Sequence, residues 1–244
     1  MVADAVIYHP SVAHYLKFVA TTVGRDKLLR TVQYFARFYA WYLLRTNAVA
    51  SAVAPWTQTK KQLGLMRKFF RIGKNIEHLK AAATAADAKV ADPFLCYTSV
   101  GRQLGYAGYL SFDAATVLDA AAIRKWEGAK RAQTNAYRCW AFGILFSIAG
   151  QLYTQYRLNQ REANVDKKDG EGVVESKRIA LFDHPANDVH SERAASRLQL
   201  VSDLADLTIP TTGLGWVNLD DGVVGLAGTL SSLIGIYTQW KKTA

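Results

Sequence analysis

The hydrophobic pattern is dominated by two runs that carry no charge. Cys139 to Tyr156 lies between Arg138 and Arg157, and Gly222 to Trp240 lies between Asp221 and Lys241. The runs are 18 and 19 residues long; at about 1.5 Å of rise per residue they predict helices of roughly 27–28 Å, close to the hydrocarbon thickness of a bilayer. The pattern therefore predicts an all-α integral membrane protein with two or more membrane-embedded helices, its spans at 139–156 and 222–240.

A different periodicity marks residues 60–83. At about 100° per residue, Leu65, Met66, Phe69, Phe70, Ile72, Gly73, Ile76, Leu79 and Ala83 fall on one half of a helical wheel. Arg67, Lys68, Arg71, Lys74, Asn75 and His78 fill the other half, and only Glu77 and Lys80 intrude on the apolar side. Lys80 can carry its amine outward along its own stem. Bulky apolar side chains opposite a cationic face describe a helix lying in the interface of an anionic membrane. The candidate membrane-binding residues are Met66, Arg67, Lys68, Phe69, Phe70, Arg71, Ile72, Lys74, Ile76 and Leu79. The competing reading is an ordinary surface helix with its apolar side packed on a core. A basic helix also suits nucleic acid, but no zinc spacing and no basic region leading a heptad accompanies it, so a nucleic-acid partner is not expected.

The remaining segments are read more coarsely. Residues 11–22 and 26–45 predict two helices joined at Gly24, the second rich in aromatic side chains (Tyr34, Phe35, Phe38, Tyr39, Trp41, Tyr42) suited to helix contact. Asn47 to Pro55 reads as a loop. Residues 94–123 hold Asp113 and Asp119, each costly at a bilayer centre, and are expected to pack on other helices rather than span. Residues 160–178 read as a polar loop, 191–207 as a helix, and 209–217, broken by Pro210, Gly213 and Gly215, as a turn before the last span.

Charge sets the expected topology. Residues 1–138 hold 20 Lys/Arg against 8 Asp/Glu, whereas residues 157–221 hold 8 against 12. With Lys241 and Lys242 at the tail, two spans put both basic ends on the cytosolic side and the acidic loop on the other. The start, MVADAVIYHP, gives no expectation of a secretory leader. The domain order is thus a basic cytosolic or interfacial helical region over 1–138, a span, an acidic loop over 157–221, and a last span with a basic tail. Gly225, Gly228, Ser232 and Gly235 recur at three- and four-residue steps and predict a helix-packing or self-association face in that last span, against a second copy or against Gly143, Ser147 and Gly150.

Catalytic chemistry is not expected. His9, His14, His78, His184 and His190 show no metal-ligand spacing, and Cys96 and Cys139 have no neighbouring cysteine. There is no phosphate-binding G-x-x-x-x-G-K-S/T loop and no G-x-S-x-G elbow. No cofactor and no metal are called for.

Four stretches resemble the peroxisomal membrane proliferation factors of the peroxin eleven family, in their fungal form. They are His9-Pro-Ser-Val-Ala-His-Tyr-Leu, Gly24-Arg-Asp-Lys-Leu-Leu-Arg-Thr-Val-Gln-Tyr-Phe-Ala-Arg-Phe, Arg67-Lys-Phe-Phe-Arg-Ile-Gly-Lys, and Gly222-Val-Val-Gly-Leu-Ala-Gly-Thr-Leu-Ser-Ser-Leu-Ile-Gly. The resemblance implies a peroxisomal membrane protein with both ends cytosolic. It also implies an amphipathic helix near Leu63 to Ala83 that curves the membrane before fission, self-association into a homo-oligomer, and work with the fission machinery. The alternative is an oligomeric pore for small metabolites, in which Asp113, Asp119 and Gln151 line a polar path.

Overall fold

Helix starts and stops follow short-range chemistry. The computed structural model describes residues 7–88, 92–170 and 185–244, and their side chains except those of 162–170 and 185–190. Helix α1 (Pro10–Ala20) begins with proline at its first position, where no amide hydrogen is needed, and the His9 ring accepts from the Ser11 amide at 3.2 Å. Thr21 ends it and starts α2 (Thr22–Arg45), its hydroxyl accepting from the Gly24 amide at 3.0 Å. A side chain at Gly24 would strike the Phe18 carbonyl, so the tight α1–α2 joint requires glycine. Helix α3 (Ala50–Phe70) follows, and α4 (Lys74–Asp87) begins after Gly73, which sits at φ 84°. Asp92 caps α5 (Pro93–Ala115) by accepting from the Phe94 amide at 3.0 Å. A single turn, α6 (Val117–Ala120), leads to α7 (Ala129–Gly170), α8 (Pro185–Gly213) and α9 (Asp221–Thr243). The described residues are all-α, with no strand among them.

The helices close into a ring. α2 packs between α3 and α9, α9 between α2 and α8, α8 against α7, α7 against α5, and α5 against α4, whose chain continuity with α3 completes the circuit. α1 lies over α2 and α9. The buried core is small and partly aromatic: Tyr34, Tyr109, Leu110, Ala136, Trp140, Ile144, Ile209 and Val224. Around it the usual order is inverted. Arg30, Arg67, Asp113, Asp203 and Asp206 are buried, whereas Phe142, Leu145, Phe146 and Leu152 of α7 and Val223, Leu226, Leu230 and Leu233 of α9 are exposed. A water-soluble bundle shows the opposite arrangement.

Several expectations change here. No helix among the described residues is long and apolar enough to cross a membrane, so the two spans at 139–156 and 222–240 are not supported. Freedom from charge is not the same as hydrophobicity: both runs are diluted by small and polar residues, Gly143, Ser147, Gly150 and Gln151 in α7 and Gly225, Gly228, Ser231 and Ser232 in α9, several of which are buried beside the core. The helix expected over 60–83 is two helices, broken at Arg71–Gly73 by the left-handed glycine. The loop expected at Asn47 to Pro55 is helical from Ala50, with Pro55 in the second turn. Residues 160–170 continue α7, and the helix expected at 191–207 runs from Pro185 through Pro210 to Gly213. The rest of the polar loop expected at 160–178, residues 171–178, lies outside the described residues.

Candidate functional site

The site forms where the polar sides of six helices meet. Asp26, Arg30 and Gln33 recur on α2 at four- and three-residue steps and so share one side. Arg67, Lys68 and Arg71 at the end of α3 and Lys74 and His78 at the start of α4 continue one polar side through the break. Tyr106, Tyr109 and Asp113 of α5, Gln133, Tyr137 and Trp140 of α7, and Asp206 of α8 complete the lining of a cavity of about 340 Å³.

Most of its charges are paired. The Arg67 guanidinium donates to Asp26 at 2.9 and 3.4 Å and to the Gln33 carbonyl at 2.7 Å. Asp113 accepts from Arg71 at 2.7 Å and lies 3.0 Å from the Lys68 ammonium, which also donates to Thr116 and Gln133 at 2.7 Å each. Arg30 donates to Asp206 at 2.5 and 3.3 Å and lies over the Tyr34 ring. His78 meets the Gln103 side-chain carbonyl at 2.7 Å and stacks on Tyr106.

The local potential is positive. Burial opposes ionisation of Asp26, but the Arg67 guanidinium, with Arg71 and Lys27, outweighs it and holds the carboxyl below the ordinary range. Asp206 is likewise held low against burial, by Arg30 above all. Lys27 has no carboxylate in ion-pair contact; burial and the neighbouring Arg30 pull it down to about 8. Tyr106, desolvated among these groups, is pushed up to about 12.

The ten candidate membrane residues divide cleanly. Met66, Phe69, Phe70, Ile72, Ile76 and Leu79 face outward, with Ile72 56% and Ile76 62% exposed. Arg67, Lys68 and Arg71 turn inward onto Asp26 and Asp113, and Lys74 lines the cavity. The apolar and cationic halves of the wheel lie on opposite sides of the α3–α4 pair, but the cations meet carboxylates of the same chain.

The small-residue side of α9 is occupied within the chain as well. A Cβ at Gly225 would come within 2.6 Å of the Phe38 amide nitrogen, one at Gly228 would land on the Tyr34 ring, and one at Gly235 would lie 2.8 Å from the Lys27 chain. Ser232 is fully buried and donates to the Gly228 carbonyl. For the three glycines the neighbour is α2, not residues 139–156. Gly143 and Gly150 instead meet α5 at Gly105 and Thr98, and Ser147 donates to Asp203 of α8 at 2.5 Å.

Sequence reasoning missed the charged interior. Its signal was present in the polar steps of α2, at 26, 30 and 33, which match those of 67, 71, 74 and 78; Asp26 and Gln33 supply the partners of Arg67, while Asp113 and Gln103 of α5 supply those of Arg71 and His78. Asp113, Asp119 and Gln151, expected together along a path, line three separate cavities. Among the described residues no group of His, Cys, Asp and Glu is placed to hold a metal ion.

Paired charges within and aliphatic side chains without define a helical bundle whose outer surface suits lipid rather than water. The model of the family described as peroxisomal biogenesis factor 11 (PEX11) matches residues 12–240, and the chain belongs to that family of peroxisomal membrane proteins. It is similar to peroxisomal membrane protein PMP27 of Saccharomyces cerevisiae, 31% identical with 100% of both chains covered. It is also similar to peroxisomal membrane protein PMP30A of Candida boidinii, 28% identical over 100% of this chain and 99% of that one. Peroxisomal biogenesis factor 11 of Schizosaccharomyces pombe is 25% identical over 97% and 98%. These relatives carry the names of membrane and biogenesis factors, not of enzymes. No solved structure matches the chain.

Proposed function

We propose that this protein elongates and curves the peroxisomal membrane by seating the apolar outer side of its α3–α4 break in one leaflet, ahead of organelle division. The observation that carries this reading is the joint exposure of Met66, Phe69, Phe70, Ile72, Ile76 and Leu79 around a glycine break while the intervening cations are held inside. An apolar wedge inserted about 5–10 Å deep widens the head-group layer of one leaflet, and asymmetric widening favours curvature. In this reading Arg67, Lys68 and Arg71 orient the wedge from within rather than bind lipid head groups. Anionic-lipid attraction then falls to exposed cations such as Lys80.

Both termini lie on one side of the membrane in this proposal. In support, α1 packs on the end of α9: the His14 ring bonds to the Trp240 carbonyl at 3.0 Å and stacks on its indole. Self-association, which the family resemblance implies, uses outer faces, because Gly225, Gly228 and Gly235 are covered by α2 and Ser232 is fully buried. The pore reading draws on the polar interior, and conductance across a planar bilayer distinguishes it from wedge action.

The test uses full-length protein with Cys96 and Cys139 replaced by serine and one new cysteine at position 72 or 76 carrying an environment-sensitive fluorophore. In reconstituted vesicles the fluorophore is expected to be quenched by lipids brominated in their acyl chains. The triple substitution Phe69→Asp, Ile72→Asp, Ile76→Asp is expected to abolish vesicle tubulation. Quenching by aqueous iodide instead, with tubulation surviving the triple substitution, refutes the proposal.

A further inference from the structure

The interior cavity holds more cationic and donor capacity than its own acceptors consume. Six cationic side chains line it, Lys27, Arg30, Arg67, Lys68, Arg71 and Lys74, against three carboxylates, Asp26, Asp113 and Asp206. The carboxylates are committed to Arg67, to Lys68 and Arg71, and to Arg30. Among the described residues the ammonium groups of Lys27 and Lys74 have no hydrogen-bonding or ion-pairing partner. Two further donors are buried and unmatched: Nε of Arg71 and the indole Nε1 of Trp140, a residue only 7% exposed. Native interiors rarely leave such donors unmatched without a ligand or water to accept from them.

All four of these groups donate and none can accept. Their natural complement is therefore an acceptor-only anion with several oxygens. A carboxylate offers two oxygens in a plane, whereas a phosphomonoester offers three in a tetrahedral array, with a charge that matches two ammonium groups. The volume of about 340 Å³ falls in the range of small-ligand sites, roughly 300–1,000 Å³. Tyr106 and Tyr109 add phenol groups and ring faces beside the cations, able to meet a short organic portion.

We propose that the cavity bounded by α2, α3, α4, α5, α7 and α8 binds a phosphomonoester, through Lys27, Lys74, Arg71 Nε and Trp140 Nε1. Two sources present this chemistry, a soluble phosphorylated metabolite and the head group of a phosphomonoester lipid. The site is separate from the outward apolar wedge, so its occupancy and membrane curvature can be measured independently. Because the cavity is walled by both sides of the α3–α4 break, a bound anion bridges Lys74 of α4 to Lys27 of α2 and stiffens the wedge mounting.

The experiment uses the full-length protein in detergent micelles and in phosphatidylcholine nanodiscs with and without phosphatidic acid. The soluble probes are inorganic phosphate and glycerol 3-phosphate, with chloride at equal ionic strength as the control. Thermal unfolding and titration calorimetry are the readouts. Lys27→Gln and Lys74→Gln remove no ion pair, so both are expected to fold, and Lys242→Gln, outside this cavity, is the charge control. Stabilisation by glycerol 3-phosphate, weakened about ten- to a hundredfold in affinity by either cavity substitution and unchanged in the control, supports a soluble ligand. Stabilisation only by phosphatidic acid, lost on the same substitutions, supports a lipid head group. Absence of stabilisation by every probe, or equal binding by wild type, Lys27→Gln and Lys74→Gln, overturns the proposal.

Discussion

Replacing Asp113 with alanine removes the carboxylate that faces both Lys68, at 3.0 Å, and Arg71, at 2.7 Å. The Asp113 side chain is 4% exposed and those of Lys68 and Arg71 are 17% exposed each, so solvent screens these pairs weakly. Truncating one partner of such a group leaves two cations desolvated without a counter-charge. Breaking a buried pair of this kind costs about 3–5 kcal/mol. For a chain of this size, 1 kcal/mol corresponds to roughly 2–4 °C in Tm, which gives an expected drop of roughly 6–20 °C. The assay is thermal unfolding of the purified protein in one detergent, followed by far-ultraviolet circular dichroism. Asp113→Asn keeps the shape and an acceptor oxygen but not the charge, and is expected to fall between wild type and alanine. Adding Lys68→Met and Arg71→Met to Asp113→Ala removes the stranded cations and should recover much of the loss. If the alanine variant unfolds within about 1–2 °C of wild type, the ion pairs do not hold α3 and α4 to α5 and the account of their orientation fails.

Two further outcomes follow from the same interior. Gly228→Leu drives a side chain into the Tyr34 ring and is expected to cost about 1–3 kcal/mol or more, whereas Leu226→Ala, on the outward side of α9, should change Tm little in detergent. Equal Tm values for the two variants refute the α2–α9 packing described. Acid should destabilise the bundle: Asp26, Asp206 and Asp221 are held below the carboxylate range, Asp26 against burial by Arg67, Asp206 against burial by Arg30, and Asp221 against burial by Arg37. With folded values below the unfolded one, their stabilisation is present above about pH 4 and is lost as pH falls through the folded values. Asp203, raised by burial, works in the opposite sense but is a single group. A Tm that holds or rises from pH 5 to pH 3 contradicts this sign.

How much of this was legible depends on which property the sequence encodes locally. The helical wheel at 60–83 was readable because segregation of Arg67, Lys68 and Arg71 from Phe69, Ile72 and Ile76 is a property of spacing alone. The direction each half faces is not, since it depends on whether carboxylates elsewhere come opposite the cations. Asp26 and Asp113 are 41 and 42 residues from Arg67 and Arg71, respectively, beyond any helical period. The break at Gly73 was invisible to the wheel because glycine is compatible with the apolar half. The contact face of α9 was readable from Gly225, Gly228, Ser232 and Gly235, but its partner α2 was not: small residues declare that something approaches closely, not what. The spans are not supported because absence of charge over Cys139 to Tyr156 is not hydrophobicity: Gly143, Ser147, Gly150 and Gln151 interrupt the run and serve inward contacts.

That inversion changes what holds the fold together. Against lipid, burying an aliphatic side chain inside the bundle gains little, because the tails outside are as apolar as the core. The interior must then be stabilised by contacts that lipid cannot supply. This chain provides two kinds, which divide the ring between them. On the α2–α9 side, Gly222, Gly225, Gly228 and Gly235 bring two backbones together against Trp41, Phe38, Tyr34 and Lys27, so the contact is one of close packing. On the side where α3 and α4 meet α2 and α5, Arg67 with Asp26 and Arg71 with Asp113 carry the contact, and packing is loose enough to leave the cavity. Close packing resists movement, whereas an ion-paired seam around a cavity can open by exchanging partners. The apolar wedge is mounted on the second seam, so the part of the molecule proposed to enter the leaflet is also the part whose attachment depends on charge.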